Sequence, residues 1–250
     1  MPLWELGLLG GFARVSLYPG AGDYASRYLL FPYVYYRGKI FRSDRGGARA
    51  RLYSSKKTKL SLGFGGNLPS KNSESSIREG MPNLDFVFEI GPRLRFLNLF
   101  DKDGLEAGIS IKKASSVSSW NFYSKGFTLS SSLGYRGNLD FFSKTRIFLR
   151  ATVKVTEKIY QEYFYNVPAA YQKPSRPTYN AKAGILSIRY FVGFLNSFMK
   201  GKWVNFIGFT LDDYSLAANK DSPIHTHDFS YNIFYGLRVK LFESERRGYK

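Results

Sequence analysis

Residues 84–96 decide the fold and read LDFVFEIGPRLRF. The even positions all hold apolar residues, whereas the odd positions hold charged residues or glycine, with Val87 as the exception. Side chains of a β-strand point alternately to opposite faces of the sheet. This period of two therefore predicts a strand with one apolar and one polar face.

The same alternation recurs along most of the chain. It is found at 105–112, 127–136, 146–155, 186–194, 203–211 and 233–241, and weaker segments at 4–18, 28–37, 39–43, 48–54 and 59–66 complete the set. The count predicts an all-β chain of about twelve antiparallel strands, with ten as the alternative. No segment has a convincing helical period, although 157–163 is compatible with a single turn.

Alternation by itself does not distinguish a soluble sandwich from a membrane barrel, because both have one apolar and one polar face. Three further features favour a closed transmembrane β-barrel. Many strands reach the roughly 9–11 residues that a tilted membrane strand needs, and short connections alternate with long polar ones at 69–83 and 216–227. Aromatic residues also recur near strand ends, as in the girdles of membrane barrels: Tyr18, Tyr28, Tyr35, Phe96, Tyr135, Tyr190 and Phe242. We therefore expect one barrel over residues 1–242 and a charged tail over 243–250.

The charge balance says more about partners than about the fold. Lys and Arg number 37 against 19 Asp and Glu, a formal net charge of +18, but the basic residues are spread along the strands rather than gathered in one patch. This distribution disfavours nucleic acid and is compatible with anionic lipid headgroups, lipopolysaccharide or a solvated basic rim. The absence of cysteine excludes a disulfide framework and a thiolate zinc site.

Neither a membrane helix nor a secretory signal is visible. No apolar run approaches the roughly 18 residues that a spanning helix needs. The opening Met1-Pro2-Leu3-Trp4 has no basic region and no cleavage site. The chain is thus either cytosolic or a mature form, and the strand pattern favours the mature form.

A set of short motifs occurs in a fixed order from the first predicted strand to Phe242. Its residues are Tyr18, Pro19, Gly20, Tyr24, Pro32, Tyr33, Tyr36, Arg37, Gly38, Gly91, Pro92, Tyr165, Pro177, Tyr179 and Gly184. In this order the motifs resemble the MltA-interacting protein (MipA)/OmpV family of Gram-negative outer-membrane proteins. One departure is Asn166, which stands where the family has a glycine, so we expect a positive φ at this residue.

The resemblance implies an outer-membrane β-barrel. Members of the family are described as scaffolds that join a lytic transglycosylase to a peptidoglycan-synthesising penicillin-binding protein, and elsewhere as porin-like or adhesive proteins. The leading hypothesis is therefore a scaffold for cell-wall enzymes, with a murein hydrolase and a murein synthase as partners. The alternatives are a porin-like channel with anion preference and a surface adhesin.

The last predicted strand resembles the assembly signal of outer-membrane barrels at Gly236, Val239, Leu241 and Phe242. Such barrels usually end at the terminal aromatic residue, but this chain continues through the charged residues 243–250. We expect the tail either to weaken recognition by the insertion machinery or to serve as a periplasmic handle.

If the apolar faces contact lipid, thirteen charged side chains line the lumen. They are Asp85, Glu89, Arg93, Arg95, Glu106, Lys112, Arg136, Arg146, Arg150, Lys154, Arg189, Arg238 and Lys240. Ten cations against three carboxylates are too costly to bury dry. The sequence leaves two interpretations open: the three carboxylates bridge arginines in a structural network, or the cations line an anion passage.

No residues suggest catalysis, a cofactor or a metal site. The two histidines, His225 and His227, stand in one polar segment without a third ligand at a recognisable spacing, and we expect a solvated loop there. Residues 160–179 hold five tyrosines. Because Tyr is frequent at interfaces, this segment is the predicted docking element, with an ordered aromatic loop as the alternative.

Overall fold

The computed structural model describes residues 2–37, 41–44, 47–139 and 145–246. Within them the chain forms twelve β-strands: β1 (Trp4–Ser16), β2 (Tyr24–Arg37), β3 (Phe41–Asp44), β4 (Gly47–Ser54), β5 (Thr58–Asn67), β6 (Phe86–Leu97), β7 (Leu105–Ser118), β8 (Asn121–Leu139), β9 (Thr145–Thr156), β10 (Gly184–Phe198), β11 (Trp203–Asp213) and β12 (Phe229–Glu243). The prediction of an all-β antiparallel fold is confirmed. Gly38 and residues 247–250 lie outside the described part of the chain.

Each strand pairs antiparallel with the next one along the chain, and β1 pairs with both β2 and β12. The hydrogen-bonded order therefore returns to its start. The pairing is long everywhere except around β3 and β4. Among the described residues, β2 pairs with β3 at Tyr36 and Arg37, and β4 pairs with β5 at Arg51–Ser61, Tyr53–Leu60 and Ser54–Lys59.

The two ends of the barrel differ in their connections. Both chain termini and the short connections 55–57, 98–104 and 199–202 lie at one end, which we call the termini end. The long connections 17–23, 68–85, 157–183 and 214–228 all lie at the other, which we call the loop end.

The alternation seen in the sequence separates an outer and an inner face. Apolar side chains on the outer face are accessible in β6, β7, β8 and β12, for example Phe86, Ile109, Leu133 and Ile233. Polar and charged side chains at the alternate positions are buried on the inner face: Glu89, Arg95, Glu106, Ser130, Thr210, Asp212, Asn232 and Arg238. This inside-out pattern is the one that a hydrocarbon environment selects.

One helix interrupts the strands, where the sequence suggested at most a single turn. Helix α1 (Lys158–Tyr165) lies at the loop end, and its residues Tyr160, Phe164 and Tyr165 are buried. Short 3₁₀ turns occur at Asn72–Glu74, Ser76–Arg78, Leu99–Asp101, Ala169–Tyr171 and Met199–Gly201. No helix in the described ranges is both long and apolar enough to cross a membrane.

The apolar core lies at the loop end rather than in the middle of the barrel. Residues from the four long connections and the adjoining strand ends form two neighbouring apolar clusters. The larger includes Leu17, Tyr18, Leu84, Val87, Tyr160, Phe164, Tyr165, Ala181 and Leu186, and the smaller consists of Met81, Val167 and Ile224. We call this assembly the cap. It is a small folded layer across one mouth of the barrel.

Candidate functional site

Glu89 on β6 joins the wall of the lumen to the cap. Its buried carboxylate accepts hydrogen bonds from Lys112 Nζ at 2.6 Å and Lys154 Nζ at 2.5 Å. It also accepts one from the hydroxyl of Tyr160 on α1 at 2.9 Å. The same hydroxyl accepts hydrogen bonds from Lys154 and from Asn67 Nδ2. One carboxylate thus joins the neighbouring strand β7, the more distant strand β9 and the helix.

Two more carboxylates hold cations of the lumen. Asp212 on β11 accepts hydrogen bonds from Arg189 Nε at 2.5 Å and Nη2 at 3.0 Å, and another from Asn232 at 2.9 Å. Near the termini end, Glu5 on β1 accepts hydrogen bonds from Arg238 at 2.5 Å and from the Tyr33 hydroxyl at 3.0 Å. Both pairs lie across neighbouring strands, so they brace the wall.

Glu106 on β7 stands among arginines. Its carboxylate contacts Arg95 at 3.2 Å, Arg136 at 3.4 Å and Arg150 at 2.7 Å. A fourth guanidinium, that of Arg93, lines the same space but makes no hydrogen bond or ion pair within the described residues. One carboxylate therefore balances one of four positive charges, and we call these four side chains the arginine cluster.

Small side chains on β8 explain how distant strands share a carboxylate. The inward positions of β8 are occupied by Thr128, Ser130, Ser132 and Gly134. Lys154 and Arg150 on β9 reach over this low surface to carboxylates on β6 and β7. The small inward side chains of β8 therefore leave the space in which these ion pairs form.

Described residues of the lumen line two cavities that are important for the site. One of about 590 Å³ lies beneath the cap and is lined by Tyr18, Glu89, Lys112, Lys154, Arg189 and Asp212, among others. The other, of about 620 Å³, lies toward the termini end and is lined by the arginine cluster and Arg238, among others. Phe64, Arg150, Phe191 and Phe206 line both. Phe191 and Phe206 stack with their ring centroids 6.3 Å apart, so aromatic rings narrow the lumen between the loop-end chamber and the termini-end chamber.

Ten of the thirteen predicted lumen residues fall on the inner face of strands and meet in these chambers. The other three lie elsewhere or at the rim. Asp85 precedes β6, because strand pairing begins at the next residue, and its backbone N–H donates to the Tyr163 hydroxyl in the cap. Arg146 is exposed near the start of β9. Lys240 pairs with Glu243 near the end of β12.

Three members of the network escaped sequence reasoning: Glu5, Asp212 and Tyr160. Glu5 and Asp212 occupy inward-facing positions of their strands, two residues from Gly7 and Thr210. A search for every acidic residue at such alternate positions would have found them. Tyr160 gave no such signal, since its role depends on a helix that lacks a clear period.

Two of the motif residues, Tyr18 and Gly20, have a structural role in the cap. The Tyr18 hydroxyl donates to the Ile224 carbonyl at 2.7 Å, and burial raises the pKa of Tyr18 to about 12. Gly20 has a φ of +76°, and a Cβ at this position would collide with the His225 ring. Glycine is thus required here for both conformation and space.

The expectation of a solvated loop holds for His227, which is exposed, but is wrong for His225. The His225 side chain is 4% exposed, lies against Tyr165 and Tyr214, and contacts Asp228 at 3.1 Å. The expectation for Asn166 was also wrong. Asn166 has a φ of −65° rather than a positive one. Its side-chain oxygen accepts the Ala181 N–H at 2.7 Å, which explains how asparagine is accommodated without a left-handed turn. Within the described ranges, no three His, Cys, Asp or Glu residues are placed to hold a metal.

The predicted docking element at 160–179 folds into the cap. Its aromatic residues Tyr160, Phe164 and Tyr165 are fully buried, and burial raises the pKa of Tyr163 to about 12. Arg176 is also buried, and it donates hydrogen bonds to the carbonyls of Tyr171, Ile77 and Glu79. The anchors that were expected to bind a partner instead hold two long connections together.

The described start of the tail continues the wall rather than leaving it. Strand β12 reaches Glu243, one residue past the predicted barrel boundary. Beyond it, Ser244 N donates to Trp4 O, and Leu3 N donates to Arg246 O. Residues 243–246 therefore remain joined to β1.

The chain was compared with protein families, curated proteins and solved structures. The family model described as "MltA-interacting protein MipA" matches residues 6–240. No curated protein sequence matches the chain. Solved structures with a similar fold include the toluene transporter TodX of Pseudomonas putida, with 8% identity, a TM-score of 0.35, and coverage of 95% of this chain and 88% of that chain. A porin has 10% identity, a TM-score of 0.31, and coverage of 95% and 100%. The β domain of the Bordetella autotransporter BrkA has 8% identity, a TM-score of 0.30, and coverage of 95% and 99%.

Proposed function

The chain belongs to the MipA family, and from this membership and its side-chain distribution we propose that it forms a closed twelve-stranded barrel in the outer membrane of a Gram-negative bacterium. Accessible apolar side chains cover the outer face, and polar side chains fill the lumen. Most strands are longer than the roughly 9–11 residues needed to span a bilayer at a tilt. Anionic lipid and lipopolysaccharide suit the basic rims.

In outer-membrane barrels the short turns face the periplasm and the long loops face the exterior. Applied here, the termini end is periplasmic and the cap is external. Because the chain has no cysteine, single introduced cysteines report the two sides without background. A membrane-impermeant maleimide should label Trp120→Cys in intact cells and Phe100→Cys only after the outer membrane is permeabilised. The reverse result would contradict the orientation, and equal labelling in intact cells would contradict the membrane placement.

At the termini end the barrel acts as a non-enzymatic scaffold for peptidoglycan-remodelling enzymes. The observation that carries this proposal is Phe100, a residue that is 86% exposed and has a φ of +54° in a short connection. Exposed lysines at 56, 57, 102 and 202 lie in connections at the same end. An exposed aromatic held in a strained turn within a basic rim suits a protein partner. The partners proposed through the family are a lytic transglycosylase and a penicillin-binding protein.

Co-purification tests the scaffold. Wild-type protein extracted in mild detergent should retain murein hydrolase and synthase, quantified by mass spectrometry, and Phe100→Ala should reduce their recovery at least tenfold. Trp120→Ala is the matched control, since Trp120 is equally exposed and also has a positive φ, but lies at the loop end. Recovery that is lost in neither variant, or no recovery with wild type, would contradict the proposal.

A second candidate function is an anion-preferring passage, and the arginine cluster is the observation that favours it. Positive charge in a narrow wet lumen attracts anions and repels cations. In planar bilayers the wild type should show a small conductance with anion preference, and Arg93→Gln should lower that preference. Arg14→Gln is the control, because Arg14 lies on the outer face beside Tyr24. An unchanged preference in Arg93→Gln would exclude this passage.

A further inference from the structure

Two strand edges of the barrel wall are only partly paired within the described residues. There the pairing of β2 with β3 comprises Tyr36 and Arg37, and the pairing of β5 with β4 ends at Ser61. In the described part of the chain, residues 24–31 of β2 and 62–67 of β5 therefore lack strand pairing on these sides. We call the space between the two edges the wall opening.

The wall opening is bounded on all sides. The short strands β3 and β4 border it toward the termini end. Toward the loop end, Arg27 on β2 donates to the Pro69 carbonyl at 3.3 Å and to the Glu74 carboxylate at 2.9 Å. Because two strands separate β2 from β5 below it, the opening is about 14 Å wide at the usual strand spacing.

Side chains on β2 beside the opening are accessible on both faces. Tyr28 and Leu30 on the outer face are 78% and 76% exposed, and Leu29 and Phe31 on the inner face are still 50% and 43% exposed. Farther along the same strand, Tyr33 on the inner face is buried. On the inner face, the exposed apolar stretch thus coincides with the unpaired edge.

The termini-end chamber reaches into the opening. Gly63 and Gly65 on β5 face Arg93 and Glu89 in the lumen, so Leu62 and Phe64 point to the outer face. Leu62 and Phe64 nevertheless line the chamber. The cavity therefore extends around the edge of β5, from the arginine cluster toward the apolar exterior.

Unpaired strand edges are not tolerated in contact with hydrocarbon, but they are tolerated along a water-filled or occupied cavity. Whatever occupies the wall opening must therefore present polar groups or water to the unpaired backbone groups, and apolar groups to the side chains. The arginine cluster at its inner end adds a surplus of positive charge. An amphiphile with an anionic headgroup matches all three requirements.

We propose that the wall opening and the arginine cluster form one binding site for a single-chain amphiphile with an anionic headgroup. The headgroup pairs with Arg93, and the chain passes between Phe31 and Leu62 toward the hydrocarbon. Arg93 is the natural partner because its guanidinium has no ion pair of its own within the described residues. The proposal rests on the membrane placement proposed above, but not on the scaffold role.

Photolabelling in phosphatidylcholine bilayers tests the site with palmitate that carries a diazirine on its chain. We expect label on 28–31 and 62–64, mapped by mass spectrometry and displaced by unlabelled palmitate. Hexadecyltrimethylammonium and acetate should not displace it. Label spread evenly over all outer faces would overturn the proposal. Displacement by the cationic amphiphile would show a site for chains only, and displacement by acetate a site for small anions only; either result would also overturn it.

Variants separate the headgroup from the chain. Arg93→Gln should lower site-specific labelling at least tenfold, whereas the outer-face control Arg14→Gln should leave it unchanged. Phe31→Ser tests the chain contact at an exposed position and should also lower it. Equal labelling in all three variants would overturn the proposal. If the maleimide test places the barrel in the membrane but no site is labelled, the binding site alone fails.

Discussion

The two chambers of the lumen use the same residue types in different proportions. In the loop-end chamber, Glu89 and Asp212 hold Lys112, Lys154 and Arg189, and the cap covers the mouth. In the termini-end chamber, Glu106 stands alone among four arginines that face a cavity. Nearly balanced charges beneath the cap are typical of ion pairs that stabilise the fold. Excess positive charge along a water-filled cavity is typical of a site that binds or conducts anions.

The largest expected effect is the loss of Glu89. Glu89→Gln leaves Lys112 and Lys154 without their carboxylate and weakens the bond to Tyr160. Removing one partner of a buried ion pair usually costs about 3–5 kcal/mol. We expect a large drop in the thermal unfolding midpoint, measured by the heat-dependent gel shift of the folded barrel. Glu79→Gln, which removes a surface contact to Lys173, should cause no measurable change.

Alkaline pH should destabilise the loop end next. Burial raises the pKa of Tyr18 from its usual value of 10 to about 12, so folding favours the neutral phenol. The stabilisation is therefore complete below pH 10 and is lost as the pH rises from 10 to 12. For Tyr18 it amounts to about 3 kcal/mol.

The check is a pH series of unfolding midpoints together with tyrosinate absorbance. The midpoint should fall between pH 10 and 12, and Tyr18→Phe should fall less steeply than wild type. If the unfolding midpoint fell equally steeply with pH in both proteins, ionisation of Tyr18 would not contribute to the alkaline loss of stability. Glu74 in the cap should have the opposite pH dependence. The hydrogen bond from Arg27 lowers the pKa of Glu74, so its contribution to stability is lost only at acidic pH.

Loss of the carboxylate in the termini-end chamber should cost less. Glu106→Gln removes the partner of Arg95, Arg136 and Arg150, but water in the cavity can still solvate these guanidiniums. We expect about 1–3 kcal/mol of destabilisation, in the range for an unsatisfied polar group. The same gel-shift midpoint measures it. A cost equal to that of Glu89→Gln would show that both chambers are braces.

The periodic strands explain why much of this comparison was accessible from sequence. The phase of 84–96 places Glu89 and Arg95 on the inner face, and the same phase in β9 places Arg150 and Lys154 there. A strand of the barrel has one apolar and one polar face, so the alternation in the sequence specifies which side chains point into the lumen. Which cation meets which acid depends on register, and register was not predicted.

The cap was largely beyond prediction, because its residues carry no period. His225 looks polar in sequence but is buried against Tyr165, and the aromatic residues of 160–179 look like surface anchors but pack inward. Long-range contacts between four connections decide these positions. The wall opening was missed for a related reason: alternation in residues 39–54 predicts strands, but does not tell how far they pair.

Of these substitutions, Arg93→Gln should change the unfolding free energy least. It also gives the clearest test of the difference between the two chambers. Because its guanidinium has no ion pair with any described residue and lies beside three other arginines, Arg93→Gln removes repulsion as well as a charge. We expect a change in unfolding free energy within about 0.5 kcal/mol, as for substitutions that break no contact. Arg95→Gln is the paired measurement, since Arg95 is buried against Glu106 and its loss should be clearly destabilising. If Arg93→Gln destabilised the barrel as much as Arg95→Gln, Arg93 would be part of the brace and not a side chain kept for a ligand.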